Sequence, residues 1–273
     1  MSVNVCLLYV ALLLYLISTA FYFLVLVTNR LRFDKPAGWC LVFGFGVHLM
    51  SLIARYFAAG YTPITNIHES FSFLALCVAC FYLYIKRAYP VRALGSIILP
   101  LICLLLFWAL LSPSEIRPLA PSLQSWWLPV HATFSFFGNA LFFIAFFVSL
   151  LYLLMEREIK KKKRLIVSER FPSLEVLDRI NYRCISYGFP FLTVGIVTGS
   201  IWAGFAWGSY WSWDPKETWS LITWIVYAIL IHNRLAIGWR GRRTAYMMIL
   251  GFCSVLFTFL GVNFLIKGLH SYV

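Results

Sequence analysis

Eight stretches of the chain are predominantly apolar for about twenty residues, the length a helix needs to cross a hydrocarbon layer about 30 Å thick. They lie near 4–27, 39–59, 69–85, 94–111, 130–154, 184–203, 218–238 and 244–265. A water-soluble fold of 273 residues could not bury so much apolar surface: 62% of the residues are hydrophobic and 12% charged, against roughly 25% charged in soluble domains. The expectation is therefore an all-α, polytopic membrane protein with about eight transmembrane helices, read as one integral membrane domain over residues 1–273. A soluble enzyme, a nucleic-acid module and a disulfide scaffold are excluded.

The formal charge of +13 is not spread over a globule but bunched between the apolar runs. Arg30, Arg32 and Lys35 follow the first run, and Lys86, Arg87 and Arg92 follow the third. Nine basic residues from Arg157 to Arg183 follow the fifth, and Arg234, Arg240, Arg242 and Arg243 lie at the end of the seventh and beyond it. These are 19 of the 23 basic residues, leaving Arg55, Arg117, Lys216 and Lys267 for the other side. The positive-inside rule then places both termini outside. The first run lacks a positive n-region and is followed by its basic residues, so it reads as an anchor helix and not as a signal peptide. The basic segment 156–183 is expected to be a solvated inner connector meeting anionic headgroups.

Seven cysteines lie mostly inside the apolar runs. Cys77 and Cys80 have the Cys-x-x-Cys spacing, but within an apolar helix that has no cation to favour a thiolate, so all seven read as small packing residues.

Between the sixth and seventh runs, residues 202–219 hold Trp202, Trp207, Trp211, Trp213 and Trp219, five of the chain's 11 tryptophans. An interfacial aromatic belt is one reading. A belt spreads over many helix ends, whereas this is one concentrated connection interleaved with Phe205, Tyr210 and glycines. The other reading is a flat apolar platform for a large planar ligand. Asp214-Pro215-Lys216-Glu217 closes the segment with the pattern of a helix start: Asp at the N-cap, Pro at the first position, Glu at the third.

A histidine inside lipid needs a reason to be there, and a neutral imidazole is a good iron ligand. His131 begins the fifth run and His270 follows the eighth, both on the outer side with the tryptophan segment. Together with the platform they suggest bis-histidine ligation of a haem. His232 lies toward the inner end of the seventh run, where an inner ligand beneath an outer one would suit a conductor of haem; a packed helix histidine is the alternative there, as for His48. His68 is expected at the outer mouth, and Asn66 and Glu69 have the spacing of a helix cap.

The run from Ala206 to Trp219 resembles the tryptophan-rich WWD signature of haem-handling membrane proteins. With Tyr227 through His232 and Arg234, Gly268-Leu269-His270-Ser271-Tyr272, and the early Pro63-Ile64-Thr65-Asn66 and His68-Glu69-Ser70, the chain resembles the CcsA (ResC) family of System II cytochrome c biogenesis over nearly its whole length. The departure at Ala203, Gly204 and Phe205 touches only the left limb of the signature. The resemblance implies that haem b, as transported substrate, is carried to an outer site and joined to the Cys-x-x-Cys-His of apocytochrome c. It implies a haem lyase (holocytochrome c synthase) component active only with a CcsB (ResB) partner, in a setting that includes a thiol-reducing system. It matches the outer iron ligands to His131 and His270 and the inner one to His232. Trp202, Trp207, Trp211, Trp213, Asp214 and Trp219 are expected to contact haem. The membrane would be the bacterial cytoplasmic membrane, with the WWD segment extracytoplasmic, or the plastid thylakoid, with it lumenal. A CcmC-like haem-delivery subunit and a HemX-like haem-binding protein without ligation activity are the competing readings, and an ion or solute carrier predicts paired midplane charges that the sequence lacks.

Overall fold

The structure, a computed structural model, describes residues 2–89, 91–161 and 170–262. It is helical throughout: α1 Val3–Thr28, α2 Asp34–Ala59, α3 Ile67–Ala88, α4 Gly95–Leu111, α5 Trp127–Lys160, α6 Leu174–Trp207, α7 Pro215–His232 and α8 Arg242–Leu256. Seven of these are long and apolar enough to cross a membrane. Within the described residues the eighth expected span is α-helical from Arg242 to Leu256 and passes into a π-helical turn at Phe257–Gly261. Both α5 and α6 outrun their apolar stretches, so residues 156–160 and 174–183 of the basic connector are helix. Met155, Glu156 and Arg157 are good helix formers, and a charge ends a hydropathy window without ending a helix.

The chain divides into two compact units, residues 1–118 with 157–173, and 119–156 with 174–273. In the first, the buried face of α1 is the stripe Leu8, Ala11, Tyr15, Ser18, Tyr22 and Val25, while Leu13, Leu16 and Leu24 point outward. Lipid is as apolar as leucine and gives little drive for helix association, so the packing relies on small residues and interhelical hydrogen bonds. Ser18 Oγ donates to the Ala37 carbonyl at 2.8 Å and Ser51 Oγ to that of Asn4 at 2.6 Å. His48 is fully buried, with Nε2 3.1 Å from Ser72 Oγ and Nδ1 3.5 Å from Tyr15 Oη. At one end Asp34 lies 3.8 Å from Lys86 and 3.6 Å from Arg92, and Arg170 donates to the Leu26 and Val27 carbonyls, so three basic connections share that end.

In the second unit Phe142 of α5 stacks on Tyr227 of α7, centroids 3.6 Å apart and planes at 9°. Glycines close the stack on both sides: a Cβ on Gly188 of α6 would come within 2.7 Å of the Phe142 ring, and one on Gly251 of α8 within 2.7 Å of the Tyr227 ring. One aromatic pair thereby fixes the spacing of four helices. All seven cysteines are free thiols.

Candidate functional site

His131 sits in the first turns of α5, where Gly199 of α6 leaves a notch for its ring. A Cβ on Gly199 would lie 2.5 Å from His131 Nδ1. The ring's Nδ1 is 2.7 Å from the Gly195 carbonyl oxygen, and because a carbonyl only accepts, Nδ1 carries the proton. In the neutral ring Nε2 then holds the lone pair, the tautomer and backing bond typical of metal-ligating histidines. Trp202 lies parallel to the imidazole, at 17° with centroids 5.9 Å apart, and Trp207 meets Trp202 edge to face at 4.8 Å. Trp202 is buried, its Nε1 donating to the Ser122 carbonyl at 3.1 Å. That bond ties the segment before α5 to the C-terminal part of α6, so His131 is held from both sides.

Past Gly208 the chain folds back: Ser200 Oγ donates to the Tyr210 carbonyl at 2.7 Å, and Tyr210 packs over Gly204. The organiser of the next turn is Glu217. Its Oε2 accepts from the Ser212 amide at 2.8 Å and the Asp214 amide at 3.2 Å, while Asp214 Oδ1 accepts from the Lys216 amide at 3.0 Å. This is the capping box that the spacing predicts, with Pro215 opening the helix. The turn holds Trp213 at φ 59°, a left-handed conformation that is rare for a bulky residue, with its side chain 69% exposed. Trp211 and Trp213 meet edge to face at 5.8 Å. Trp219 leans on Phe257 at 4.1 Å. The five tryptophans thus divide: Trp202 backs the histidine, Trp207 packs on Trp202, Trp211 and Trp213 pair in the turn beyond, and Trp219 joins α7 to the π turn after α8.

His232 is the last residue of α7 and is exposed. At 1.5 Å per residue it lies about 27 Å along the helix from Asp214, so the two positions stand at opposite ends of α7. It continues an outward stripe of Ile222, Ile225 and Ile229, spaced as one helix face. His270 lies outside the described residues. His68 is buried in the first unit, with Nδ1 2.7 Å from the Ala109 carbonyl, and therefore anchors α3 to α4. Beside it the sequence reading missed a buried ion pair: Arg55 Nε donates to Glu69 Oε1 at 2.9 Å, and the same guanidinium holds the Ser114 and Glu115 carbonyls at 2.6 and 3.2 Å. Glu69 Oε2 also accepts from the Thr65 amide, and Asn66 caps the helix as expected. Among the described residues no three His, Cys, Asp or Glu side chains cluster as a metal cage.

The sequence model of the family described as "Cytochrome C assembly protein" matches residues 64–270, which spans the tryptophan segment and all three histidines of interest. The CcsA protein of Chlamydomonas reinhardtii is 42% identical over 231 residues, 82% of this chain and 64% of the relative. That of Guillardia theta is 37% identical over 255 residues, 84% of this chain and 85% of the relative. The chain belongs to the CcsA family of cytochrome c biogenesis proteins. Among solved structures the cytochrome c haem lyase CcmF superposes with a TM-score of 0.70 at 18% identity, covering 94% of this chain and 46% of that one. At that identity the likeness is one of fold. The chain spans 64% of the length of the Chlamydomonas relative, but more than four fifths of the Guillardia and Pyropia yezoensis ones.

Proposed function

We propose that this CcsA-family chain carries haem b across the membrane and presents it for covalent attachment to the Cys-x-x-Cys-His of apocytochrome c, as the haem lyase component of a pair with a CcsB-type partner. The observation that carries the reading is His131: a histidine whose Nδ1–H is committed to the Gly195 carbonyl, in a notch cut by Gly199 and backed by Trp202, on which Trp207 packs in turn. Haem is the substrate here. At the outer site His131 and His270 hold the iron, and Trp207, Trp211, Trp213 and Trp219 supply apolar faces to the ring. Trp202 supports the ligand from behind. Asp214 fixes the turn that presents Trp211 and Trp213 as the rim. At the inner site His232 takes haem first. A polar ring at the end of an exposed isoleucine stripe is costly in lipid, and a partner helix bringing a second ligand would remove that cost.

The reaction adds two thiols across two vinyl groups, sulfur to one carbon and hydrogen to the other, and consumes no oxidant. The thiols must arrive reduced, which calls for a thiol-reducing system. No side chain of the site is required as general acid or base; the chain's contribution is to hold the iron and leave the vinyl edge open to the incoming peptide. The basic connections face the inner compartment; both termini and the tryptophan segment face the outer one, extracytoplasmic in a bacterium or lumenal in a thylakoid.

The test is purification with and without the CcsB-type partner, with a haem spectrum and the mass of a co-expressed apocytochrome. A covalent adduct that needs both chains is expected. Bound haem with no adduct in the presence of the partner would leave a haem-binding protein without ligation activity.

A further inference from the structure

His232 is followed by a π-helical turn, Asn233–Ile237, a departure from the α-helix that tends to occur at functional sites. Its anchorage is unusual for the edge of a membrane span. Arg234 makes a bidentate pair with Asp178 of α6, Nη1 to Oδ1 at 2.8 Å and Nη2 to Oδ2 at 2.7 Å, both side chains largely buried. Asp178 Oδ1 also accepts the Gly241 amide at 2.8 Å. One carboxylate therefore gathers the end of α7 and the start of α8, closing the loop 235–240 at its base. Arg234 is held further by Thr244 Oγ1 at 3.3 Å and by the Tyr182 face, 4.9 Å from Cζ. The Trp239 amide donates to the Asn233 carbonyl at 3.1 Å, and Asn233 Nδ2 to that of Ile229 at 2.9 Å.

Where α7 passes into the π turn, His232 is exposed while the Arg234 side chain, 8% exposed, faces inward. Pinning Arg234 inward on Asp178 therefore turns His232 outward, onto the stripe of Ile222, Ile225 and Ile229. We infer that Asp178 is a positioning residue for the inner haem site: its clasp on Arg234 and Gly241 sets the rotation of the α7 end and so aims the His232 imidazole. The inference rests on the reading of His232 as the inner haem ligand. Asp178 touches no haem itself; it acts through Arg234. Bidentate geometry is what makes it a rotational lock, since a single point contact would let the helix end swing.

The experiment uses the full chain co-expressed with its CcsB-type partner. Asp178→Asn keeps an acceptor for Gly241 and removes the charge that clasps Arg234; Asp178→Glu keeps both. Asp178→Asn should lower haem per polypeptide about tenfold, the scale on which supports of metal ligands act, with Asp178→Glu restoring much of it. Independently of haem, His232→Cys is labelled with maleimide in membranes and the adduct at residue 232 read by mass spectrometry. Adding Asp178→Asn should change the labelling rate several-fold. Should Asp178→Asn destabilise the chain, Arg234→Lys, which keeps the charge but loses the fork, should give the same direction of change in both readouts. If His232→Ala abolishes haem loading while Asp178→Asn leaves loading and labelling unchanged, the positioning role is overturned and the inner ligand stands. If His232→Ala loads haem fully, the inner site itself fails.

Discussion

The imidazole of His131 rests on Gly199, so closely that a single added methyl would stand 2.5 Å from Nδ1. The ring, its carbonyl partner Gly195 and the notch are one construction, and the helix start alone does not place the imidazole. Gly199→Ala should leave α5 and α6 formed but lift the ring from the Gly195 carbonyl. The expected result is about tenfold weaker haem retention at the outer site, partly restored by exogenous imidazole, with thermal unfolding little changed. Unaltered haem retention would show that the notch is packing alone.

Trp213 is held left-handed by the bonds that Glu217 makes on either side of it, to Ser212 and Asp214. The conformation costs roughly 1–2 kcal/mol for a residue with a Cβ and nothing steric for glycine. Trp213→Gly should therefore raise or preserve the melting temperature while lowering haem retention. A variant that loses stability and haem together would mean that the indole is part of the packing and not of the rim.

Local patterns were legible in the sequence. The Asp214–Glu217 box and the Asn66 cap join residues three apart, and their spacing alone gives their geometry. The helices were legible because hydropathy has the length of a bilayer. What the pattern could not show was which tryptophan would be buried: Trp202 lies on α6, whose faces are both apolar, and nothing in the residue itself sets it apart from Trp213 in the turn before α7. Nor could it show Arg55 with Glu69 or Asp178 with Arg234, whose partners sit on different helices. The π turn after His232 carries no residue signature of its own.

Arg55 and Glu69 are 2% and 1% exposed, and their removal should be strongly asymmetric. Arg55→Ala leaves the Glu69 carboxylate buried without its cation and frees the Ser114 and Glu115 carbonyls. A loss of about 3–5 kcal/mol is expected, against a smaller loss for Arg55→Met with Glu69→Met, which removes both charges. Thermal unfolding in detergent of the two variants side by side decides it; a double variant worse than the single one would mean that the hydrogen bonds to the backbone outweigh the charges.

Orientation is tested by reporter fusions. Within the first unit Asp34, Lys86, Arg92 and Arg170 gather at one end, and within the second Asp178, Arg234 and Gly241 do. Fusions after Lys161 and after Gly241 should report the inner compartment, and one after Ala120 the outer. An outer signal after Gly241 would invert the order in which the histidines meet haem.

The two histidines must then fail in different ways. Asp214 and His232 bracket the 18 residues of α7, about 27 Å of helix, close to the thickness of the hydrocarbon layer. No single iron spans that distance. His131→Ala should alter the axial ligation of haem already at the outer site, shifting its spectrum, and imidazole supplied from outside should restore it. His232→Ala should reduce how much haem arrives while leaving the spectrum of what does arrive unchanged, and outside imidazole should not help. The discriminating quantity is haem per polypeptide against band position, measured on the same preparations. Equal occupancy with a shifted spectrum in His232→Ala would put that ring on the same iron as His131 and overturn the two-site reading.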